Sequence, residues 1–151
     1  MKAVIQRVSR ASVSVDSKVI GEIKQGFLIL LGVEKEDDET EARVLASKIA
    51  GLRVFCDEND KMNLSLSDID GGVLVISNFT LCGSCKKGRR PSFDNAARPE
   101  TALPLYEHFC DYMKDAGISL VERGEFGADM KVDLLNDGPV TLIIDSKELS
   151  R

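Results

Sequence analysis

The stretch Ser77-Asn-Phe-Thr-Leu-Cys-Gly-Ser-Cys-Lys-Lys-Gly-Arg-Arg-Pro-Ser-Phe93 gathers most of the chemistry-bearing residue types of this chain. It follows the apolar run Val73–Ile76 and passes from hydroxyl and amide side chains, through glycine, to clustered cations. A strand end would hold Ser77, Asn78 and Thr80 rigidly, while a glycine-containing basic loop beyond it could meet phosphate. Lys86, Lys87, Arg89 and Arg90 surround Gly88, with Phe93 offering an aromatic face nearby, in a chain whose formal net charge is -5. That overall charge argues against general, sequence-blind nucleic-acid binding, yet a local basic patch on an acidic body suits a phosphate-bearing substrate.

Cys82-Gly-Ser-Cys85 has the spacing of a redox dithiol. Dithiol enzymes activate the first thiol at a helix N-terminus, whereas Lys-Lys-Gly-Arg-Arg-Pro, which follows here, does not read as a helix; the cations remain a way to lower a thiol pKa. A structural zinc site would need two more ligands. His108 is the sole histidine and lies two residues from Cys110 on a predicted helix, where residues at i and i+2 diverge. The same scarcity limits acid–base chemistry. A Ser-His-Asp or Cys-His device would have to recruit His108, which neighbours an apolar helix face, and Thr80 has no base close by in sequence. Catalysis at this stretch must therefore lean on positioning and on backbone N–H donors. The acidic run Glu34–Glu41 lacks the alternating ligands and central glycine of a calcium loop and reads as a solvated helix start.

The elements that position these residues follow from periodicity. Met1–Val8 and Ala11–Val15 alternate with period two, a turn is expected at Asp16, Ser17 and Lys18, and Val19–Ile23 continues the pattern. Phe27–Val33 is apolar throughout, as in a central strand covered on both faces. Asp38 with Glu41 has capping-box spacing, Ala42, Leu45, Ala46 and Ile49 share a helix face, and Gly51 stands where a left-handed C-terminal cap is expected. Leu52–Phe55 and Met62–Leu66 read as strands separated by a turn at Asp57–Asp60. A second amphipathic helix carries Leu103, Tyr106, Cys110 and Met113 and stops at Gly117. Short strands are expected at Ser119–Val121, Met130–Leu134 and Val140–Ile144, with Asn136-Asp-Gly-Pro139 as a turn between the last two. A glycine before proline relieves the clash that restricts other residues, so the Gly138–Pro139 bond reads either as an ordinary turn or as a cis peptide. These elements describe an α/β protein: layered, mainly antiparallel β-sheets (β/β/α) with two main helices on one side. The 151 residues, 43% of them hydrophobic, fit one domain over 1–151. No apolar run approaches a membrane span, and a soluble cytoplasmic protein with free thiols is expected.

Taken in order, Met1-Lys-Ala-Val-Ile-Gln-Arg-Val8, Ser77-Asn-Phe-Thr-Leu81, Gly88-Arg-Arg-Pro-Ser-Phe93, Phe126-Gly-Ala-Asp-Met130 and Asn136-Asp-Gly-Pro-Val-Thr141 resemble the D-aminoacyl-tRNA deacylase family along essentially the whole chain. Asn78 stands where that family usually has Gln, and Cys82 where Tyr is common. The resemblance implies hydrolysis of the ester joining a D-amino acid to the 3'-terminal adenosine of tRNA, chiral proofreading by a homodimer without metal or other cofactor. It further implies that Gly138 and Pro139, joined by a cis bond, reach into the partner subunit's pocket as the chirality filter, with Arg7 holding that turn. Ser77, Asn78, Phe79 and Thr80 would line the pocket. Phe79, Phe126 and Met130 would contact the adenosine, and Lys86, Lys87, Arg89 and Arg90 would guide the tRNA. Glycyl-tRNA, achiral, is a further candidate substrate. A non-catalytic tRNA-end binding protein and a Cys82/Cys85 dithiol oxidoreductase are the rival readings.

Overall fold

In the computed structural model, which describes residues 1–150, the chain order is β1 (Lys2–Val15), β2 (Lys18–Ile23), β3 (Gly26–Gly32), α1 (Glu39–Ala50), β4 (Phe55–Cys56), β5 (Met62–Leu64), β6 (Gly72–Ser77), α2 (Pro99–Asp115), β7 (Val121–Arg123) and β8 (Lys131–Asp145). The period-two pattern at the N-terminus becomes one long strand that changes sides. Ala3 and Ile5 of β1 join the core beneath the helices, while Val8, Ala11 and Val13 join a second core on the opposite face. The switch coincides with irregular pairing to β8 between Gln6 and Val8 and between Val8 and Arg10. Asp16 and Ser17 make the β1–β2 turn with φ of 49° and 63°, the handedness that matches strand twist in a tight hairpin.

The main sheet runs β2-β1-β3-β6-β7, with β8 also paired to β1. β1 is antiparallel to β2, β3 and β8, whereas the β3–β6 and β6–β7 pairs are parallel. Parallel strands are expected to be covered on both faces, and Phe27–Ile29 of β3 and Val73–Ile76 of β6 are all buried. On one side α1 and α2 seal Phe27, Ile29, Leu45, Ile49, Phe55 and Phe109 into the larger core. On the other, β2 and β8 curl over Leu28, Leu74 and Ile76, with Val132 and Leu134 closing that layer. The result is the expected β/β/α layering with both helices on one side.

Local details differ from expectation in four places. In α2 the buried face is Ala102, Leu105, Tyr106, Phe109, Cys110 and Met113, and Leu103, one position off that stripe, is 37% exposed. Gly51 ends α1 with φ of -87°, so the cap is right-handed and is made by its N–H on Ser47 and Ile49 carbonyls. The strand expected at 52–55 shrinks to Phe55–Cys56, because the Val54 carbonyl is taken by the Arg7 guanidinium at 2.6 Å instead of by a ladder. The turn at 136–139 is an outward excursion within the continuous strand β8. The Asp38–Glu41 capping box of α1 is formed.

A buried ionic cluster ties the two ends of the sheet to the segment before α1. The Met1 ammonium donates to Asp37 Oδ1 at 2.7 Å and to Ser146 Oγ at 2.6 Å, with Met1 and Asp37 side chains fully inaccessible. Glu34, 3% exposed, accepts from Lys2 at 3.2 Å, Lys147 at 2.8 Å and Asn95 at 2.6 Å. Burial alone would raise the Glu34 pKa, but hydrogen bonds from Lys147 and Lys2 override it and hold the carboxyl below its usual value. Both lysines are raised in turn, chiefly by Glu34.

Candidate active site

A cleft of about 660 Å³ opens at the carboxyl ends of the parallel strands β3 and β6, the end of a parallel sheet where ligand crevices form. Leu30, Leu31 and Ile76 give it an apolar floor, Ala97, Ala102 and Tyr106 one wall, and Phe126, Met130 and Val132 the other. Ser77, Asn78 and Asp129 supply polar groups to its lining, and Phe79 an aromatic edge. The Tyr106 hydroxyl donates to the Val75 carbonyl at 2.8 Å and fastens α2 to β6; burial pushes this phenol well above its usual range, so it stays neutral.

Beyond Ser77 the backbone closes into a short 3-10 turn, Phe79–Cys82, so Thr80, expected at a strand end, sits in that turn instead. Asn78 N–H donates to the Leu31 carbonyl at 2.8 Å, so the turn starts as a continuation of the β3–β6 ladder. Its close seating requires Gly32: a Cβ there would lie 3.0 Å from Leu81 Cβ, 3.1 Å from Cys82 Sγ and 3.2 Å from the Asn78 carbonyl oxygen. Thr80, exposed and outside the cleft lining, donates its hydroxyl hydrogen bond to the Asn78 amide oxygen. The Asn78 side chain makes no cap bond to the turn. The first amides of such a turn have no acceptor within it.

Cys82 turns inward from this segment. Its Sγ donates to the Val33 carbonyl at 3.4 Å, and burial, reinforced by the Glu34 carboxylate, pushes the thiol up to about 11. The neighbouring cations therefore do not activate it, contrary to what a dithiol enzyme needs. Cys85 is exposed, and both thiols are free. His108 lies on α2 with Nδ1 2.9 Å from the Glu39 carboxylate of α1 and does not line the cleft.

The basic loop is closed at its base. Ser84 and Ser92 exchange backbone hydrogen bonds of 2.7 and 2.9 Å, which present Lys86, Lys87, Arg89 and Arg90 to solvent, all exposed, around a Gly88 with φ of 66°. Phe93 then packs edge-on against Phe79, ring centroids 5.2 Å apart at 74°. Phe79 remains 58% exposed, an aromatic surface between cleft and loop.

Gly138, Pro139 and Arg7 lie apart from the cleft of their own chain. The Gly138–Pro139 bond is cis, and Gly138 has φ of 139°, a conformation that favours glycine. Arg7, 8% exposed, sends Nε to the Asp137 carbonyl at 3.0 Å and Nη1 to the Val54 carbonyl at 2.6 Å, with the Asp137 carboxylate 3.4 Å from Nε. The structure thus gathers Ser77, Asn78, Phe79, Phe126 and Met130 in one cleft, with Thr80 and the basic loop at its margin and the Arg7-braced turn elsewhere. Sequence reasoning missed Leu30, Leu31, Val33, Ala97, Pro99, Ala102 and Val132 of the lining. Only the end of the Phe27–Val33 run, shared by strand and cleft, signalled any of them.

The layered sheet and the sequence that builds it are shared with a family of known proteins. The family model described as D-Tyr-tRNA(Tyr) deacylase matches residues 4–145, and the chain belongs to that family. A "D-aminoacyl-tRNA deacylase" of Geobacter metallireducens is 58% identical, covering 97% of this chain and 96% of the relative. One of the same name from Thermosipho melanesiensis is 54% identical over 99% of both chains. Among solved structures, the "c-Myc DNA Unwinding Element Binding Protein" superposes with a TM-score of 0.91 at 40% identity, covering 96% of this chain and 98% of its own. A "probable eukaryotic D-amino acid tRNA deacylase" shares the fold with a TM-score of 0.80 at 15% identity, covering 95% and 97%.

Proposed function

We propose that the protein hydrolyses the ester bond of D-aminoacyl-tRNA, releasing free D-amino acid and tRNA, with the whole chain 1–151 acting as one deacylase domain in the cytoplasm. The observation that carries this reading is the cleft at the β3 and β6 ends, to which Ser77 and Asn78 bring a hydroxyl and an amide and which no histidine lines; the one carboxylate in its lining, Asp129, is exposed and paired with Lys131 at 2.9 Å. An aminoacyl ester is already activated, and the vicinal ribose hydroxyl can orient the attacking water, so no strong protein base is required. Water adds to the ester carbonyl carbon, the bond to the ribose oxygen breaks, and the ribose oxygen regains a proton. Backbone N–H groups at Phe79 and Thr80, the start of the 3-10 turn, hold the carbonyl oxygen as it gains charge. Thr80 positions; it does not attack.

Phe79, Phe126 and Met130 receive the terminal adenosine, and Lys86, Lys87, Arg89 and Arg90 guide the acceptor stem. The pocket is completed in a homodimer, where Gly138 and Pro139 of a second copy enter the cleft and present backbone to the α-carbon. Discriminating a thousandfold between enantiomers takes about 4 kcal/mol, more than a methylene-sized contact supplies, and rigid backbone excluding the L side chain is the device that reaches it. Glycyl-tRNA, lacking a side chain to exclude, is also cleaved.

The test is hydrolysis of D-Tyr-tRNA and L-Tyr-tRNA by the purified protein. Rapid loss of the D-ester alone is expected; equal rates overturn the chiral reading. Salt-sensitive tRNA binding without ester loss would make the protein a non-catalytic binder.

A further inference from the structure

The excursion that carries Gly138 and Pro139 is held by side chains in place of a ladder. Gln6 pairs with Thr141 and Val8 with Asn136, so residues 137–140 of β8 stand opposite Arg7 alone. Such an insertion strips backbone groups of their partners and lets a strand bend. Three carbonyls at this place are nevertheless satisfied. Arg7 Nε reaches the Asp137 carbonyl at 3.0 Å, and the single Nδ2 of Asn136 donates to both the Arg7 and the Val140 carbonyls at 3.1 Å. Asn136 thereby bridges the two strands across the neck of the excursion, and both protons of its amide are used.

We propose that Asn136 is a positioning residue for chiral selection: its carboxamide closes the neck and sets where the Gly138–Pro139 backbone projects. Arg7 braces the tip through Asp137 and is itself anchored to Val54. Asn136 is half-buried and outside its own chain's cleft, so it acts through the turn and touches no substrate of that cleft. The inference rests on the deacylase reading and names a residue for its selectivity.

The experiment compares single-turnover hydrolysis of D-Tyr-tRNA and L-Tyr-tRNA by wild type, Asn136→Ser, which keeps one donor, and Asn136→Asp, which sets a carboxylate against both carbonyls. The expected result is a stepwise fall in the D-to-L rate ratio, several-fold for the serine variant and at least tenfold for the aspartate variant. A merely structural role would lower melting temperature and leave the ratio of the folded fraction unchanged, and that outcome overturns the proposal. The same holds for wild type without variants: an Asn136 side-chain amide whose protons exchange at the free-solvent rate by NMR is not a clamp. A wild type that cleaves neither ester would instead sink the deacylase reading, and the two failures are therefore distinguishable.

Discussion

The hydroxyl of Thr80 is committed to the amide oxygen of Asn78. That hydroxyl therefore points its proton at a neighbour that cannot take it. Thr80→Ala keeps appreciable activity, falling no more than the factor of about 10–100 that a lost positioning contact costs. Single-turnover hydrolysis of D-Tyr-tRNA measures it, and a trapped acyl-Thr80 adduct would establish covalent catalysis in its place.

Removing Lys86, Lys87, Arg89 and Arg90 together, each to Gln, weakens tRNA association with little change in the chemical step. Each phosphate contact given up lowers the slope of log affinity against log salt by about 0.7–0.9. An unchanged slope would show that the loop meets no phosphate.

Thiol labelling separates the four cysteines. Cys56 and Cys85 are exposed, Cys82 and Cys110 are buried, and burial lifts the latter two to about 11 and about 12. At pH 7.5 two thiols react quickly with an aromatic disulfide and two only after unfolding. Cys82→Ser retains deacylation, whereas a dithiol enzyme would lose its activity.

Glu34 links stability to acid. Its folded-state pKa is lowered, so its contribution is complete above the ordinary carboxylate pKa of about 4.3 and disappears as pH falls through the folded value. Glu34→Gln is less stable than wild type by about 1–2 kcal/mol at neutral pH, and the gap closes below about pH 4. Denaturant melts across pH 3–7 test this; parallel curves would show no such linkage.

The buried ammonium of Met1 makes the adjoining pair the stiffer constraint. Both partners are fully inaccessible, and Asp37→Asn leaves a charge without its counterion, a loss of about 3–5 kcal/mol. A shift in melting temperature of only a degree or two would contradict that.

Much of this was legible in the residues themselves. Period two in β1, the uninterrupted apolar run of β3 and the Asp38–Glu41 pair each specify local structure through nearest neighbours. The long-range features were not. Leu52–Val54 alternates as a strand does, yet Arg7, distant in sequence, claims the Val54 carbonyl. Asn136-Asp-Gly-Pro reads as a turn because turn residues crowd there, and only the register against β1 shows that pairing resumes on both sides. Ser77 to Phe79 could be placed at a strand end, but the apolar walls from α2 and from the segment before β8 converge only in three dimensions.

The pairing of β1 with β8, Lys2 opposite Asp145, also governs how the molecule is made. During synthesis at roughly 5–20 residues per second, Val8, Ala11 and Val13 wait on the order of ten seconds before Val132 and Leu134 exist to cover them. Contacts so distant along the chain slow two-state folding toward the millisecond-to-second range. A nascent chain stalled before Lys131 offers the ribosome-bound chaperones an uncovered apolar face, while the same polypeptide released in full hides it.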